Sequence, residues 1–178
     1  MAENEYLDVL IISKLDSELS KRELHSVFNI YNYCFSEPMI SGTKKTLLAK
    51  KLLGKSKVFE WYLAKVRGQI VGMASYVRDM EKVKTTKQFD LRPEKGENVC
   101  SVGVLEKYRR LGIGRLLMNQ IIKDHGPEID LVVEIKRNNP IYGLLVEFYL
   151  SLGFVEEDQD NQEEAHLYLR RKKGEIKS

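Results

Sequence analysis

Residues 106–122 read EKYRRLGIGRLLMNQII, and they concentrate the side chains and turns best suited to holding an anion. Arg109, Arg110 and Arg115 bracket Gly112 and Gly114, and Ile113, Leu116, Leu117 and Ile121 then recur on one helical face. A glycine-bearing turn that feeds a helix points unpaired backbone N–H groups outward from the helix start, where the helix dipole also favours negative charge. Gly112 and Gly114 lack side chains that would hold a phosphate away from those amides. The arginines can donate forked hydrogen bonds to phosphate oxygens. The arrangement fits a pyrophosphate, while two glycines alone also suit an ordinary tight turn. The stretch lacks the Gly-Lys-Ser/Thr ending of a nucleoside-triphosphate loop and the third glycine of a dinucleotide fingerprint, so neither fits.

Such a turn needs a strand in front of it and a helix behind. The strand is NVCSVGVL at 98–105; the helix runs from about Gly112 to Asp124, where HGP at 125–127 stops it. Next come a strand, IDLVVEIK, a helix over roughly Pro140–Leu152, and a last pair of strands around an acidic loop. Upstream, YLDVLIIS at Tyr6–Ser13 suits a first strand, Ser17–Phe35 and Thr43–Leu53 suit helices, and CFSEPMISG between them reads as a loop. KVFEWYLAKVRGQIVGMASYVRD is two extended runs joined at RGQ, a hairpin with Gly68 in its turn. The polar stretch KVKTTKQFDLRPEKGE is an excursion before the strand that leads into the glycine turn. The predicted order is β-α-α-β-β-β-α-β-α-β-β. This is an α/β (α+β) domain with a mostly antiparallel sheet and one β-α-β crossover.

Bulk properties bound the partners. At 178 residues the chain suits a single domain spanning 1–178. With 29 Lys+Arg against 26 Asp+Glu, a net +3 gives no general signal for nucleic acid. No apolar run approaches the roughly 18 to 20 residues of a membrane span. The N-terminus MAENEYLDVLII lacks a basic segment followed by an apolar core, and Cys34 and Cys100 match no metal or redox spacing. The expectation is a soluble, reduced, cytoplasmic protein with no membrane, nucleic-acid or metal partner.

Arg109-x-x-Gly112-x-Gly114, preceded by a strand ending in Val104 and by EKYRR, resembles motif A of the GNAT superfamily of acetyl-CoA-dependent N-acetyltransferases. About 35 residues on, LVEFYLSLGF at Leu145–Phe154 resembles that family's second signature, a helix ending in Tyr-x-x-x-Gly-Phe. Two departures stand beside the match: Tyr142 and Leu145 occupy positions where many relatives carry Asn and Ala, with Asn138 and Asn139 slightly upstream.

The resemblance implies a GNAT-like twisted sheet flanked by helices, with acetyl-CoA as co-substrate in the split between the strand ending at Val104 and LVVEIK. It implies cofactor contacts from Val102, Val104, Arg109, Arg110, Leu111, Gly112, Ile113, Gly114 and Arg115. The amide of Val104 or Leu105 would hydrogen-bond the thioester carbonyl, and Tyr149 would protonate the departing thiolate. An amine acceptor attacks directly. Because a free alkyl amine has a pKa of about 10.4, a base must remove its proton. The family's glutamate position aligns by spacing with Asn98, one residue from Glu97. Glu97 is the candidate, and Glu134, Glu60 and Tyr76 are lesser ones, a solvated strand position being the alternative for each.

Other residues carry plainer readings. FNIYNYCF reads as core and groove wall, with Tyr31 or Tyr33 near the acceptor; Cys100 reads as a packed hydrophobe and His125 as a helix end. The acceptor is a polyamine or other small cationic amine, drawn by the run EEDQDNQEE at 156–164, or a protein N-terminus or lysine. That run also suits a solvated hairpin loop balanced by RRKK at 170–173. A CoA-binding sensor or scaffold without turnover is the reading of another class. The family also implies a homodimer, with LYLRRKK pairing across it.

Overall fold

The hairpin is the most local element and anchors the rest. β2 (Phe59–Val66) and β3 (Gln69–Val77) pair antiparallel. Arg67 (φ 48°) and Gly68 (φ 76°) are both left-handed in the two-residue turn between them. That is the turn geometry whose twist matches a right-handed hairpin. The computed structural model describes residues 10–14, 19–35, 59–77, 97–126, 130–156 and 166–173.

Around the hairpin lies a sheet of seven described strands in the order β1-β2-β3-β4-β5-β7-β6. β1 is Leu10–Lys14, β4 Glu97–Val104, β5 Leu131–Lys136, β6 Val155–Glu156 and β7 His166–Arg171. Every neighbouring pair is antiparallel except β4 and β5, which run parallel. The helix between those two, α2 (Ile113–His125), is the expected crossover. α1 (Lys21–Phe35) and α3 (Tyr142–Leu150) are the remaining described helices. The expected helix at Thr43–Leu53, the polar excursion before β4 and nearly all of the acidic run fall outside the described residues. Among the described residues no helix is long and apolar enough to cross a membrane. β7 lies inside the sheet, between β5 and β6.

α1 begins at a reciprocal cap. Ser20 N–H donates to Glu23 Oε2 at 3.0 Å and Glu23 N–H donates to Ser20 Oγ at 3.3 Å, so two orphan donors of the first turn are satisfied. Val27 and Ile30 then pack on Trp61, Leu63, Ile70 and Met73, on one face of the sheet. Lys65 Nζ to Glu23 Oε1, at 2.8 Å, fastens the same face at its rim. The opposite face receives α2 and α3. There Ile113, Leu117, Met118 and Ile121 meet Tyr62, Ala64, Ala74, Val99 and Leu131 in the larger cluster. Strand alternation produces this division, because Trp61 and Leu63 point one way and Tyr62 and Ala64 the other. Burying each large aliphatic side chain is worth about 1.5–3 kcal/mol, so this two-sided packing fixes α2 and the turn in front of it.

Candidate active site

β4 and β5 are in register at only two pairs, Glu97 with Leu131 and Asn98 with Val132. Beyond them the strands separate. The register of β4 against β3 slips by one residue at the same place, Ser101 lying opposite Ser75 and Val99 opposite Tyr76, so Cys100 is the extra residue of a bulge. A bulge bends its strand. The result is a split that opens toward Val104.

Which amides face that split follows from the ladder. Leu105 N–H donates to Val71 O at 2.9 Å, which makes this a hydrogen-bonded pair. In an antiparallel ladder the next residue's backbone groups point the other way, so the N–H groups of Val104 and Val102 are directed away from β3 and into the split. Of the two amides the sequence offered for the thioester carbonyl, Leu105 is therefore already committed, and Val104 is the available one.

After β4 the chain makes one 3-10 turn, Glu106–Tyr108, which buries Tyr108, and then reaches the glycine turn. Arg110 (φ 65°) and Gly112 (φ 77°) are left-handed, and Gly112 caps α2 without any side-chain hydrogen bond. The first bond that crosses the cap is Leu116 N–H to Gly112 O at 3.0 Å. The amides of Ile113, Gly114 and Arg115 precede it and have no carbonyl one turn back to pair with. A Cβ built at Gly112 meets nothing within 4 Å, so the open space in front of these donors is not filled by the protein itself. One at Gly114 would make ordinary contact with Phe148 at 3.6 Å and Val104 at 4.0 Å. These amides and this space fit the pyrophosphate of acetyl-CoA, and the two valine amides suit the arm that follows it.

The guanidinium groups are arranged differently from the expectation of a phosphate-facing ring. Arg109 Nε donates to Val104 O at 3.0 Å, and its guanidinium lies over the Tyr33 ring at 5.1 Å. Arg115 Nη2 donates to Ser151 Oγ at 2.8 Å. Arg110 is exposed. Leu111 is half-buried against the α2 core. Thus two of the three arginines fasten the glycine turn and the start of α2 to α1 and α3.

On the α1 side, Tyr33 O–H donates to Glu106 Oε2 at 2.5 Å, a contact that holds the phenol protonated and raises its pKa. Tyr33, Leu105, Glu106 and Lys107 line an open groove of about 440 Å³ beside the split. Cys34 Sγ lies 3.6 Å from Val104 O, and burial raises its pKa against the opposing effect of Arg109. Gly103 lies directly beneath, where a Cβ would come within 3.0 Å of that sulfur. Tyr31 belongs to the α1 core.

Tyr149 lies in the last turn of α3, with 8% of its surface exposed. Its ring makes edge contacts with Phe148 (5.1 Å) and Phe154 (5.5 Å), and burial raises its pKa above the ordinary phenol range. The backbone behind it is pinned, since Leu152 N–H and Phe154 N–H both donate to Tyr149 O, at 2.9 and 3.2 Å. Tyr142, at the start of the same helix, accepts from Arg137 Nη1 at 3.5 Å.

Of the base candidates, Glu97 opens β4 where it is still paired with β5. The side chains of Glu97, Asn98, Cys100 and Glu134 fall outside the described residues. Glu60 and Tyr76 are drawn to the other end of α2. Glu60 Oε2 lies 2.9 Å from His125 Nε2, Tyr62 O–H donates to Asp124 Oδ2 at 2.9 Å, and the Tyr76 ring stacks on His125 at 4.0 Å. A thirteen-residue helix places that cluster about 20 Å from Gly112, at the end of the sheet where Val77 pairs with Asn98, next to Glu97. His125, read from sequence as a helix end, is that and also the buried hub of the cluster. Its burial follows from contacts more than 60 residues away in sequence, which no local signal announces. Among the described residues no three His, Cys, Asp or Glu side chains could hold a metal ion.

Comparison with known proteins agrees with this fold. The family model described as acetyltransferase (GNAT) domain matches residues 57–156. No curated protein matches the sequence. Among solved structures, that of histone acetyltransferase HPA2 and related acetyltransferase from Corynebacterium glutamicum superposes with a TM-score of 0.65 at 16% identity, covering 96% of this chain and 99% of that one. The ribosomal-protein-S18-alanine N-acetyltransferase of Escherichia coli gives 0.61 at 16% identity, with 91% and 92% covered. A GNAT family acetyltransferase from Elizabethkingia anophelis with acetyl-CoA bound gives 0.60 at 17% identity, with 93% and 99% covered.

Proposed function

This chain belongs to the GNAT acetyltransferases, and from that premise we propose that it carries acetyl groups from acetyl-CoA to a primary amine by direct attack, a polyamine or another small cationic amine being the acceptor. The observation that carries the reading is the split between β4 and β5, with the open amides of α2 at its mouth. Acetyl-CoA supplies the activated acyl group as a thioester. The amides of Ile113, Gly114 and Arg115 hold the pyrophosphate together with the turn at Arg110–Gly112, and the amides of Val102 and Val104 line the path inward.

Within this reading the amine nitrogen bonds to the carbonyl carbon and the carbon–sulfur bond breaks. The Val104 N–H donates to the carbonyl oxygen as charge gathers there. Tyr149 gives its phenolic proton to the leaving sulfur and recovers one from solvent. Its burial keeps that proton in place at neutral pH. The proton lost by the amine passes to water or to Glu97, the candidate base from sequence spacing. The preference for a small cationic acceptor rests on the acidic run at 156–164 and on exposed Glu106 beside the groove.

The direct test is thiol release from acetyl-CoA with spermidine, monoamines, amino acids and short peptides with free N-termini or internal lysines. Turnover with polyamines ahead of peptides is the expected result. Preference for peptides would replace the acceptor with a protein amino group. Silence with every amine, while acetyl-CoA still raises the melting temperature, would make the protein a CoA-binding module.

A further inference from the structure

Arg115 occupies a place that helix electrostatics disfavour. It lies in the first turn of α2, where no acidic residue is present and a cation meets the positive end of the helix dipole. Its guanidinium instead reaches the opposite pole of another helix. Nη2 donates to Ser151 Oγ at 2.8 Å, and Nη1 donates to the Ser151 carbonyl at 3.4 Å. Ser151 is the C-cap of α3; its amide donates to Glu147 O at 3.0 Å and its hydroxyl to Phe148 O at 2.6 Å. The cation is therefore set against the carbonyl end of α3, where positive charge is favourable.

The same two helix ends touch at a second point. Phe148 lies over Gly114, where a Cβ would make ordinary contact with its ring at 3.6 Å. Tyr149 is between the two contacts in sequence, one residue after Phe148 and two before Ser151.

We infer that Arg115 is a positioning residue, which locks the last turn of α3, and with it Tyr149, onto the turn that cradles the cofactor. The inference rests on the proton-donor reading of Tyr149 given above. It separates from the phosphate-ligand role that the sequence suggests, because a brace acts on Tyr149 whether or not the donor substrate carries a pyrophosphate.

The experiment compares acetyl-CoA with S-acetylpantetheine, which has the thioester and arm but no pyrophosphate, as acyl donors for wild type, R115A, R115K, S151A, R115A/S151A and Y149F. R115A is expected to lower kcat about 3- to 10-fold with both donors and to leave KM for acetyl-CoA within about twofold. R115K should recover part of the loss, and R115A/S151A should be no worse than R115A, as for two partners in one contact. Both residues are exposed, so melting temperatures should stay close to wild type. A rise in KM seen with acetyl-CoA and absent with S-acetylpantetheine would overturn the brace and make Arg115 a phosphate ligand. Wild-type kinetics for R115A beside a slow Y149F would also overturn it, while leaving Tyr149 as the donor. Wild-type kinetics for Y149F would remove the proton-donor reading itself.

Discussion

Gly112 and Gly68 form a matched pair, and substituting each with valine separates backbone strain from ligand binding. Their φ values are 77° and 76°, and a Cβ at either meets nothing within 4 Å. The cost to the fold is thus chiefly conformational in both cases, about 1–2 kcal/mol for a residue with a Cβ in the left-handed region, since the Cβ itself meets no neighbour. For a chain of this size that lowers the melting temperature by about 2–8 °C. Binding should divide them. The space before Gly112 is where a phosphate would approach the α2 amides, and each charge-assisted hydrogen bond lost there is worth about 1.5–3 kcal/mol. Loss of one such bond weakens binding at least about tenfold. Gly68 sits in the hairpin turn between β2 and β3 and should leave affinity unchanged. Thermal denaturation gives the first quantity and calorimetric titration with acetyl-CoA the second. Near-normal affinity in Gly112→Val, or equal losses in the two variants, would refute the pyrophosphate cradle.

Other consequences follow from single residues. Tyr149→Phe should reduce kcat with little change in acetyl-CoA affinity. Because burial raises its pKa above the ordinary phenol value of about 10, an alkaline fall in kcat below pH 9 that disappears in Tyr149→Phe would contradict its assignment. Glu97→Gln, assayed beside it, should depress kcat/KM most near neutral pH, where a carboxylate is ionised and the amine still protonated, if Glu97 accepts the amine proton, and an unchanged profile would remove it. The Glu23 carboxyl is held at about 2, chiefly by its hydrogen bond from Lys65 and then by Ser20. A depressed carboxyl stabilises the fold above its unfolded value and loses that contribution as pH falls toward its folded value, here from about 4.5 to about 2. At this partly solvated site the effect is at most about 1 kcal/mol, so Glu23→Gln should flatten acid denaturation slightly in that window; no change would show the pair contributes nothing.

The legible parts of this molecule were those written in short stretches. The RGQ turn, the extended runs EWYLAKV and IVGMASYV on either side of it, and the glycine turn before α2 each declare themselves within a few residues, and the structure has all of them. The pairing of motif A with the Tyr149 signature pointed to the family, and the family model agrees. What the sequence did not disclose was the direction of side chains whose partners are distant. Arg109 meets residues of α1 some 75 positions earlier, and Arg115 meets Ser151 across 36. Spacing alone announces neither partner. Strand alternation likewise shows which residues share a face, but not which end of α2 that face meets, so it does not place Glu60 and Tyr76 beside His125.

The parting of β4 from β5 has one more consequence. A sheet edge is normally found at the rim of a protein, where charge or a short strand discourages other chains from joining it. Here two unsealed edges are held apart in the middle of the sheet, with no described strand between them. They present backbone donors and acceptors to anything narrow enough to enter and itself carrying amides. The pantetheine arm of acetyl-CoA meets that description, so in the proposed reading the co-substrate would complete the hydrogen bonding of the sheet much as an added strand would. On that reading the substrate is also a missing piece of secondary structure.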